Sequence, residues 1–271
     1  MTQKAIAISA PVASAWRPMR YLRGLRVIYP VVLVLFLWEV CSRVGIFDPY
    51  LIPPFSAVLA TLYSELFITG DIWVHIAASV ERISIGYSIA AVTGISVGIA
   101  MGRLRHVAGF FDPLISAVYP TPKLALYPVM MALIGIGDAS KITLIALASF
   151  FPIVINTHAG VKNIDHFLIW NARTKGASTR QVLWTVILPG SMPFIFMGLR
   201  VALAQAFLLI VATEMIAANE GLGYIIMFSQ STLNQTLMFS GVLLIALIGF
   251  TATQLLLLVE RRMFVWRRNN N

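Results

Sequence analysis

Charged residues and cysteine are both scarce in this sequence. Of its 271 residues, 11% are charged and 59% are hydrophobic, whereas a soluble domain carries about 25% charged residues. The shortage of charge excludes an ordinary soluble domain and favours membrane spans, each of which needs roughly 20 mostly apolar residues. Cys41 has no second cysteine to pair with, so an internal disulfide is excluded as well.

The chain also lacks two short motifs that mark common catalytic sites. It contains no G-x-x-x-x-G-K-[ST] and no H-E-x-x-H, which excludes a P-loop nucleotide site and a zinc-protease site of that kind. The histidines His75, His106, His158 and His166 are scattered. A metal pair of His158 with His166 is a minor alternative, because their spacing can place them on one helix face. We therefore predict that the chain is not an enzyme and binds no metal.

Acidic residues are outnumbered by basic ones, with 11 Asp and Glu against 20 Lys and Arg, for a net charge of +9. A nucleic-acid-binding protein would gather its basic residues on one soluble face. Here they fall in short groups between apolar runs, which is the distribution of cytoplasmic loops in membrane proteins. We therefore predict a membrane protein that does not bind nucleic acid.

The apolar runs predict about six membrane spans. Their approximate bounds are 27–45, 78–102, 110–135, 139–159, 190–217 and 237–260. Helices are expected because only helices and closed barrels satisfy the backbone in lipid, and barrel strands are about ten alternating residues long. The prediction is an all-α polytopic membrane protein, with a basic segment at 1–26 and a permease domain at 27–268 whose core is about 78–260.

Basic residues alternate with each crossing. They flank the chain before span one, after span two, between spans four and five, and after span six, whereas the 46–77 loop has none. By the positive-inside rule both termini and the 160–189 loop are expected in the cytoplasm. The first span is expected to be uncleaved; a cleaved signal in AIAISAPVASA is the alternative.

Span three is interrupted by proline. Pro120, Pro122 and Pro128 all lie in ISAVYPTPKLALYPVMMAL, and proline removes a backbone donor and clashes with the preceding turn. Broken helices at membrane depth are tolerated where they are buried in protein or line a cavity, and transporters place solute sites there. An ordinary packing kink is the alternative.

Charged residues at membrane depth are costly and each needs a reason. Lys123 lies beside the proline-rich stretch, and Arg200 and Glu214 lie within span five. We predict a translocation pathway for an anionic solute from Lys123, Arg200 and Glu214, with Tyr119 and Asn156. Hydrogen bonding of the two cations to carbonyls at helix breaks is the alternative.

Other charges and the small residues have simpler interpretations. Glu39 and Arg43 are four apart and are expected to pair within span one. Glu81 and Arg82, at the start of span two, are expected to reach the membrane interface. Span two also carries a row of glycines four apart, Gly94, Gly98 and Gly102, which is expected to admit a close helix neighbour.

The polar stretch NARTKGASTRQVLWTVILPG, at residues 171–190, separates spans four and five. Its Gly176 can take a positive φ at a turn, and Pro189 suits the start of the next helix. The stretch resembles the cytoplasmic signature of ABC-importer permeases, Glu-Ala-Ala, three residues, Gly, nine residues, Ile, one residue, Leu-Pro. In register with it are Ala172, Gly176, Val186, Leu188 and Pro189. Trp170 and Asn171 replace the expected Glu and first Ala.

The resemblance extends over roughly residues 50–268. SVERISIGYSIAAVTGISVGIAMGR, FFPIVINTHAGVKNID, ILPGSMPFIFMGLRVAL and ATEMIAANEGLGYII are similar to the nitrate, sulfonate and taurine branch of these permeases. The resemblance implies the type I importer fold and a dimer of permeases, here a homodimer. It also implies two separate ATPase subunits, which bind the ATP and Mg, and a periplasmic or lipid-anchored binding protein.

We call residues 160–189 the signature segment. The resemblance implies that it inserts into the ATPase as two short helices with a turn at the glycine. The residues expected to make that contact are Ala172, Arg173, Lys175, Gly176, Ala177, Ser178, Val186, Leu188 and Pro189. Because the motif glutamate is absent, apolar packing around Gly176 is expected to anchor the contact.

The expected function is ATP-driven import of a small anion, such as a sulfonate, taurine or nitrate, across the bacterial inner membrane. No cofactor is expected on this chain itself. A vitamin-like or aromatic solute (a thiamine precursor, riboflavin or a phthalate-like acid) on the same machinery is an alternative. A stand-alone secondary transporter or channel is a further alternative, but it leaves the signature segment unexplained.

Overall fold

The computed structural model describes residues 19–263, with side chains from residue 29 onward. Within this range the regular elements are helices, which confirms the predicted all-α fold. The α-helices are α1 (Met19–Arg43), α2 (Phe55–Ser64), α3 (Ile72–Arg103), α4 (Arg105–Val118), α5 (Tyr127–Ile134), α6 (Asp138–Lys162), α7 (His166–Thr174), α8 (Thr179–Val182), α9 (Leu188–Ala217), α10 (Leu222–Ser231) and α11 (Gln235–Met263). A 3₁₀ turn covers Lys123–Leu126, and π-helical turns cover Glu65–Thr69 and Leu183–Ile187.

Four helical stretches in the described part of the chain are long and apolar enough to cross a membrane. They are Ile72–Arg103, Asp138–Lys162, Thr179–Ala217 and Gln235–Met263, and they correspond to predicted spans two, four, five and six. Predicted span one falls on α1. Helix α3 has 32 residues, or about 48 Å at 1.5 Å per residue, so it is longer than a hydrocarbon core of about 30 Å requires.

Predicted span three is not one continuous helix. Helix α4 ends at Val118, and the chain resumes as the 3₁₀ turn and the short helix α5. The break contains Pro120 and Pro122, whereas Pro128 is accommodated in the first turn of α5, where its missing N–H is not needed. The predicted interruption by proline is confirmed. The single span over 110–135 is wrong, because two prolines in three residues cannot both continue a helix.

Helices α3 and α6 approach closely along the predicted glycine row. A Cβ placed on Gly98 would lie 2.6 Å from Cβ of Thr157, and one on Gly102 would lie 2.4 Å from Cγ1 of Val161. A Cβ on Gly94 would likewise contact Ile153. Each step of four residues along α3 is matched by a step of four in the same direction along α6, so the two helices run parallel. The packing role predicted for this row is therefore confirmed.

Helix α9 packs against α6 in the opposite direction. A Cβ on Gly160 would lie 2.6 Å from Cβ of Phe194, and one on Gly198 would lie 2.9 Å from the carbonyl oxygen of Pro152. The later residue of α6, Gly160, therefore meets the earlier residue of α9, Phe194, and the earlier residue of α6, Pro152, meets the later residue of α9, Gly198. The two helices are antiparallel. The start of α3, the start of α6 and the end of α9 therefore lie together, and so do their other three ends.

The chain divides into two compact units, residues 1–57 and 58–271. In the first unit, Arg43 Nε lies 2.5 Å from Glu39 Oε1, which confirms the predicted pair. Trp38 Nε1 donates to the carbonyl of Pro53. The predicted domains, 1–26 and 27–268, stay a prediction. Parts of both, including the stretch of the alternative cleaved signal and Arg267 and Arg268, lie outside the described residues.

Candidate functional site

The first half of the signature segment is a capped helix that ends at a glycine. The Asp165 side chain accepts a hydrogen bond from the N–H of Phe167 at 2.9 Å and so satisfies a free donor at the start of α7. The chain leaves α7 through Gly176, whose φ is +83°, and the N–H of Ala177 bonds back to the carbonyl of Ala172. The predicted turn at Gly176 is confirmed, since this conformation favours glycine.

The second half begins with a reciprocal cap. The Gln181 N–H donates to Ser178 Oγ, and the Ser178 N–H donates to Gln181 Oε1 at 2.7 Å. This capping box starts α8, which continues through the π-helical turn into α9. Pro189 lies in the first turn of α9, as predicted. The expected pair of short helices around Gly176 is therefore present, and its role in coupling stays a prediction.

The signature segment has a packed side and an exposed apolar side. On the packed side, Ile169, Ala172, Ala177 and Val186 lie against the buried core of Val161, Ile164, Val182 and Ile187. On the exposed side lie Phe167, Leu168, Trp170 and Trp184, which are 52–63% exposed. We call these four residues the aromatic face. Trp170, which replaces the motif glutamate, belongs to it, as the expectation of an apolar contact requires.

The remaining predicted contact residues surround the turn. Arg173, Lys175, Gly176 and Ser178 are exposed, and Leu188 and Pro189 are half-buried. Ala172, Ala177 and Val186 therefore position the segment, whereas the polar residues are free to meet a partner. Their contact with an ATPase stays a prediction.

Two of the predicted pathway residues lie together at the break after α4. The Lys123 ammonium donates to the carbonyl of Tyr119 and lies 4.7 Å from the centroid of the Tyr119 ring. It is also 5.7 Å from the ring centroid of Phe151 on α6. The carbonyl contact is the one that the alternative interpretation of Lys123 expects at a helix break. Its role in a pathway stays a prediction.

The other pathway candidates have separate partners. Arg200 Nη2 lies 2.5 Å from Oε2 of Glu260 on α11. The Asn156 amide donates to the carbonyl of Pro152 within its own helix, at 2.8 Å. Glu214 is buried and paired elsewhere. The residues gathered as one pathway in the sequence are thus distributed over several contacts, and none of these contacts tests solute binding.

Glu214 belongs to a charge cluster that was not predicted from the sequence; Ser79, Arg82 and Glu214 are buried in it, and Asp138 is exposed at its edge. Arg82 Nη1 lies 2.7 Å from Glu214 Oε1, and Arg82 Nε lies 2.7 Å from Oδ1 of Asp138. Ser79 Oγ donates to the Glu214 carboxylate at 2.8 Å. We call Ser79, Arg82, Asp138 and Glu214 the Arg82 cluster. It joins the start of α3, the start of α6 and the end of α9.

The loop between α9 and α10 closes over this cluster. Arg82 Nη1 donates to the carbonyl of Glu220, the Leu222 N–H donates to Ser79 Oγ, and the Gly223 N–H donates to Glu214 Oε2 at 3.0 Å. Arg82 and Glu214 are 6% and 1% exposed. Such burial is tolerable because the charges are paired and their remaining polar atoms are hydrogen-bonded.

The expectation that Arg82 reaches the membrane interface is wrong. Its carboxylate partners come from distant parts of the chain and are brought to it only when α3, α6 and α9 pack. One signal in the sequence pointed to the cluster: Arg82, Asp138 and Glu214 are opposite charges near the ends of three apolar helices, where unpaired charges are costly.

Two further arrangements of side chains bear on metal binding and catalysis among residues 29–263. No group of three His, Cys, Asp or Glu side chains there is placed to hold a metal ion. His158 ends up on α6 and His166 on α7, so they do not share a helix face. The stretch from Gly94 to Gly98 matches the G-x-S-x-G pattern of hydrolases, but Ser96 lies inside α3 and donates to the carbonyl of Val92. It is therefore not on the strand-to-helix turn that such a nucleophile needs.

Comparison with known proteins gives consistent matches. The profile of the family described as "Binding-protein-dependent transport system inner membrane component" matches residues 90–265. The taurine transport system permease protein TauC of Escherichia coli (strain K12) is 38% identical over 86% of each chain. The putative aliphatic sulfonates transport permease protein SsuC of Bacillus subtilis (strain 168) is 30% identical over 92% of this chain and 89% of its own.

Solved structures are similar in fold. The crystal structure of an amino acid ABC transporter with histidines covers 76% of this chain and 97% of its own, with a TM-score of 0.54 and 19% identity. At that identity the likeness concerns the fold alone. The region it shares with this chain is long enough to include the α3–α6–α9 core.

Proposed function

The chain belongs to the binding-protein-dependent transport system inner membrane components and is a permease subunit of an ABC importer, and we propose that its solute is a small sulfonate. Its place is the inner membrane, which it crosses several times. The observation that carries the proposed solute is the 38% identity, over 86% of both chains, to a taurine permease. The similarity to a permease for aliphatic sulfonates points to the same chemical class.

We propose a homodimer of this chain with two ATPase subunits and a solute-binding protein. ATP and Mg bind to the ATPase subunits, and this chain binds no cofactor and hydrolyses nothing. The absence of a P-loop motif from the sequence supports this division of labour. Both termini and the signature segment face the cytoplasm, as the distribution of basic residues favours.

The aromatic face is the proposed ATPase contact. Exposed aromatic side chains are enriched at protein interfaces and supply much of their binding free energy. Three of this chain's exposed aromatic side chains, Phe167, Trp170 and Trp184, lie on the signature segment near the Gly176 turn. Basic residues at the same end complement an acidic partner surface and guide its approach.

The packing suggests how a movement of the ATPase reaches the solute path. The signature segment joins the end of α6 to the start of α9, and α6 packs closely against both α3 and α9. At the opposite ends, buried Arg82 ties the same three helices together through its ion pairs with Glu214 and Asp138. A displacement of the segment therefore moves α3, α6 and α9 as one body, which is a rigid-body route to alternating access.

Reconstitution of the complex tests both the solute and the machinery. The permease, its ATPase and its binding protein are placed in proteoliposomes, and uptake of taurine, an alkanesulfonate, nitrate and a thiamine precursor is compared. We expect ATP-dependent uptake of the sulfonates only, with β-alanine as the carboxylate control for taurine. Uptake of the thiamine precursor alone would favour the vitamin-like alternative. Uptake without the ATPase subunits would instead favour a stand-alone transporter.

A further inference from the structure

A basic cavity lies beneath the signature segment, at the ends of α3 and α6 opposite to the Arg82 cluster. Its volume is about 340 Å³, and the basic side chains around it are Arg103, Lys162, His166 and Arg173. Its apolar floor includes Ile169 and Ile187. The volume lies within the range of about 300–1,000 Å³ that is usual for small-ligand sites. No carboxylate lines it.

The cations of this cavity have no internal partner. Within residues 29–263, the side chains of Arg103, Lys162 and Arg173 form neither an ion pair nor a hydrogen bond. The acidic residue nearest in sequence, Asp165, uses its carboxylate on the N–H of Phe167. Three positive charges around one concavity repel each other, so an anion between them removes an unfavourable interaction as well as adding a favourable one.

The cavity is distinct from the aromatic face. His166, Ile169 and Arg173 follow one face of α7 at helical spacing and line the cavity. Phe167, Leu168 and Trp170 do not line the cavity and are exposed. Arg173 also belongs to the predicted ATPase contact, whereas Arg103 and Lys162 do not. A partner bound at the aromatic face therefore leaves Arg103 and Lys162 available to a second ligand.

We propose that this cavity binds a tetrahedral oxyanion, the phosphate of an anionic lipid headgroup. Guanidinium groups suit such oxyanions because their parallel N–H donors match two oxygens at once. Arg103 and Lys162 end apolar helices of spanning length, so the cavity lies where headgroup phosphates lie. Basic pockets between membrane helices on the cytoplasmic side are suited to anionic headgroups. A soluble phosphate or sulfonate shares the same chemistry and is the alternative source.

Binding there would brace the signature segment. The cavity is bounded by α3 and α6 on one side and by α7 on the other. An oxyanion bonded to Arg103, Lys162 and Arg173 therefore connects both spanning helices to the segment that meets the ATPase. The expected consequence is that ATP hydrolysis is coupled more strongly to solute transport in membranes that contain anionic lipid.

The test uses the permease in the assembled complex, in nanodiscs of neutral lipid containing a graded fraction of phosphatidylglycerol. The double variant Arg103→Gln/Lys162→Gln removes two of the cations. The control Arg105→Gln/Arg180→Gln also removes two positive charges, from exposed residues that do not line the cavity. Native mass spectrometry counts the retained phosphatidylglycerol. We expect an affinity at least about tenfold lower in the double variant, since each basic group near the membrane surface contributes roughly a fivefold factor. The control, which loses the same charge outside the cavity, is expected to show less than half of that fold-change.

The two sources give different results. If inorganic phosphate protects the wild type against unfolding in neutral lipid but not the double variant, while phosphatidylglycerol binding is equal in both, the oxyanion site stands with a soluble source. Equal phosphatidylglycerol binding in all three proteins, without such protection, overturns the proposal. These measurements need no transported solute, so they are independent of whether the proposed sulfonate is correct.

Discussion

The charged side chains at the two ends of the α3–α6–α9 core differ in whether they are paired within the chain. At one end, Arg82 is buried against Glu214 and Asp138, and every partner comes from within the chain. At the other end, Arg103 and Lys162 surround an open cavity without any carboxylate. The difference follows from the cost of burial. Charges in a dry helix interior must be paired where they stand, whereas charges beside water and headgroups can remain available to a partner.

Removing one partner from the Arg82 cluster is expected to have the largest effect. Arg82→Met leaves Glu214 buried without a counter-ion, which costs about 3–5 kcal/mol in the free energy of unfolding. Unfolding in mixed micelles measures the loss. The double variant Arg82→Met/Glu214→Met is expected to recover most of it, because no buried charge is left unpaired. A single variant as stable as the wild type would show that the cluster is not a buried ion pair.

The loop over the cluster gives the second prediction. A Cβ on Gly221 would lie 2.2 Å from Cδ of Glu214, and the φ of Gly221 is +122°, so Gly221→Ala meets both a clash and backbone strain. We expect a loss of roughly 2–3 kcal/mol. Gly109→Ala is the control, because nothing lies within 4 Å of its Cβ in α4. Equal stability of the two variants would contradict the close packing of the loop.

At the opposite end the expected effect concerns coupling rather than stability. Gly176→Val strains the turn, because φ is +83°, although its Cβ meets nothing within 4 Å. We expect the ratio of solute transported to ATP hydrolysed to fall severalfold while the spanning helices remain folded. Gly45→Val is the matched control, with φ +79° and the same open surroundings. An unchanged ratio in Gly176→Val would remove this turn from the coupling mechanism.

The smallest effects are expected from the charges within the transport region. Lys123→Gln should lower uptake with assembly intact, because its ammonium is held at the helix break beside Tyr119. Arg200→Gln should lower it less, since the Arg200 guanidinium is already paired with Glu260 and is less available to an anion. Uptake rates at saturating binding protein distinguish the two variants. Unchanged uptake in both would exclude an anion pathway over these residues.

The signature segment was predictable because its structure is local. The turn at Gly176, the helix start at Pro189 and the short helices between them depend on neighbouring residues in the chain. The cap formed by Ser178 and Gln181 is of the same kind, although the motif did not single it out. The Arg82 cluster was not predictable, because its members meet only through packing between distant helices.

The sequence by itself determined the membrane environment, the spanning helices α3, α6, α9 and α11, and the glycine row, because hydropathy and helical spacing report directly on lipid and on close helix contacts. Only the tertiary structure decided that Arg82 is buried with Glu214, and that Arg103 and Lys162 share a cavity with Arg173. The physical reason is that the state of a charged side chain depends on which other charged side chain lies beside it. Whether a charge is satisfied or left open depends on which helix ends are brought together in space.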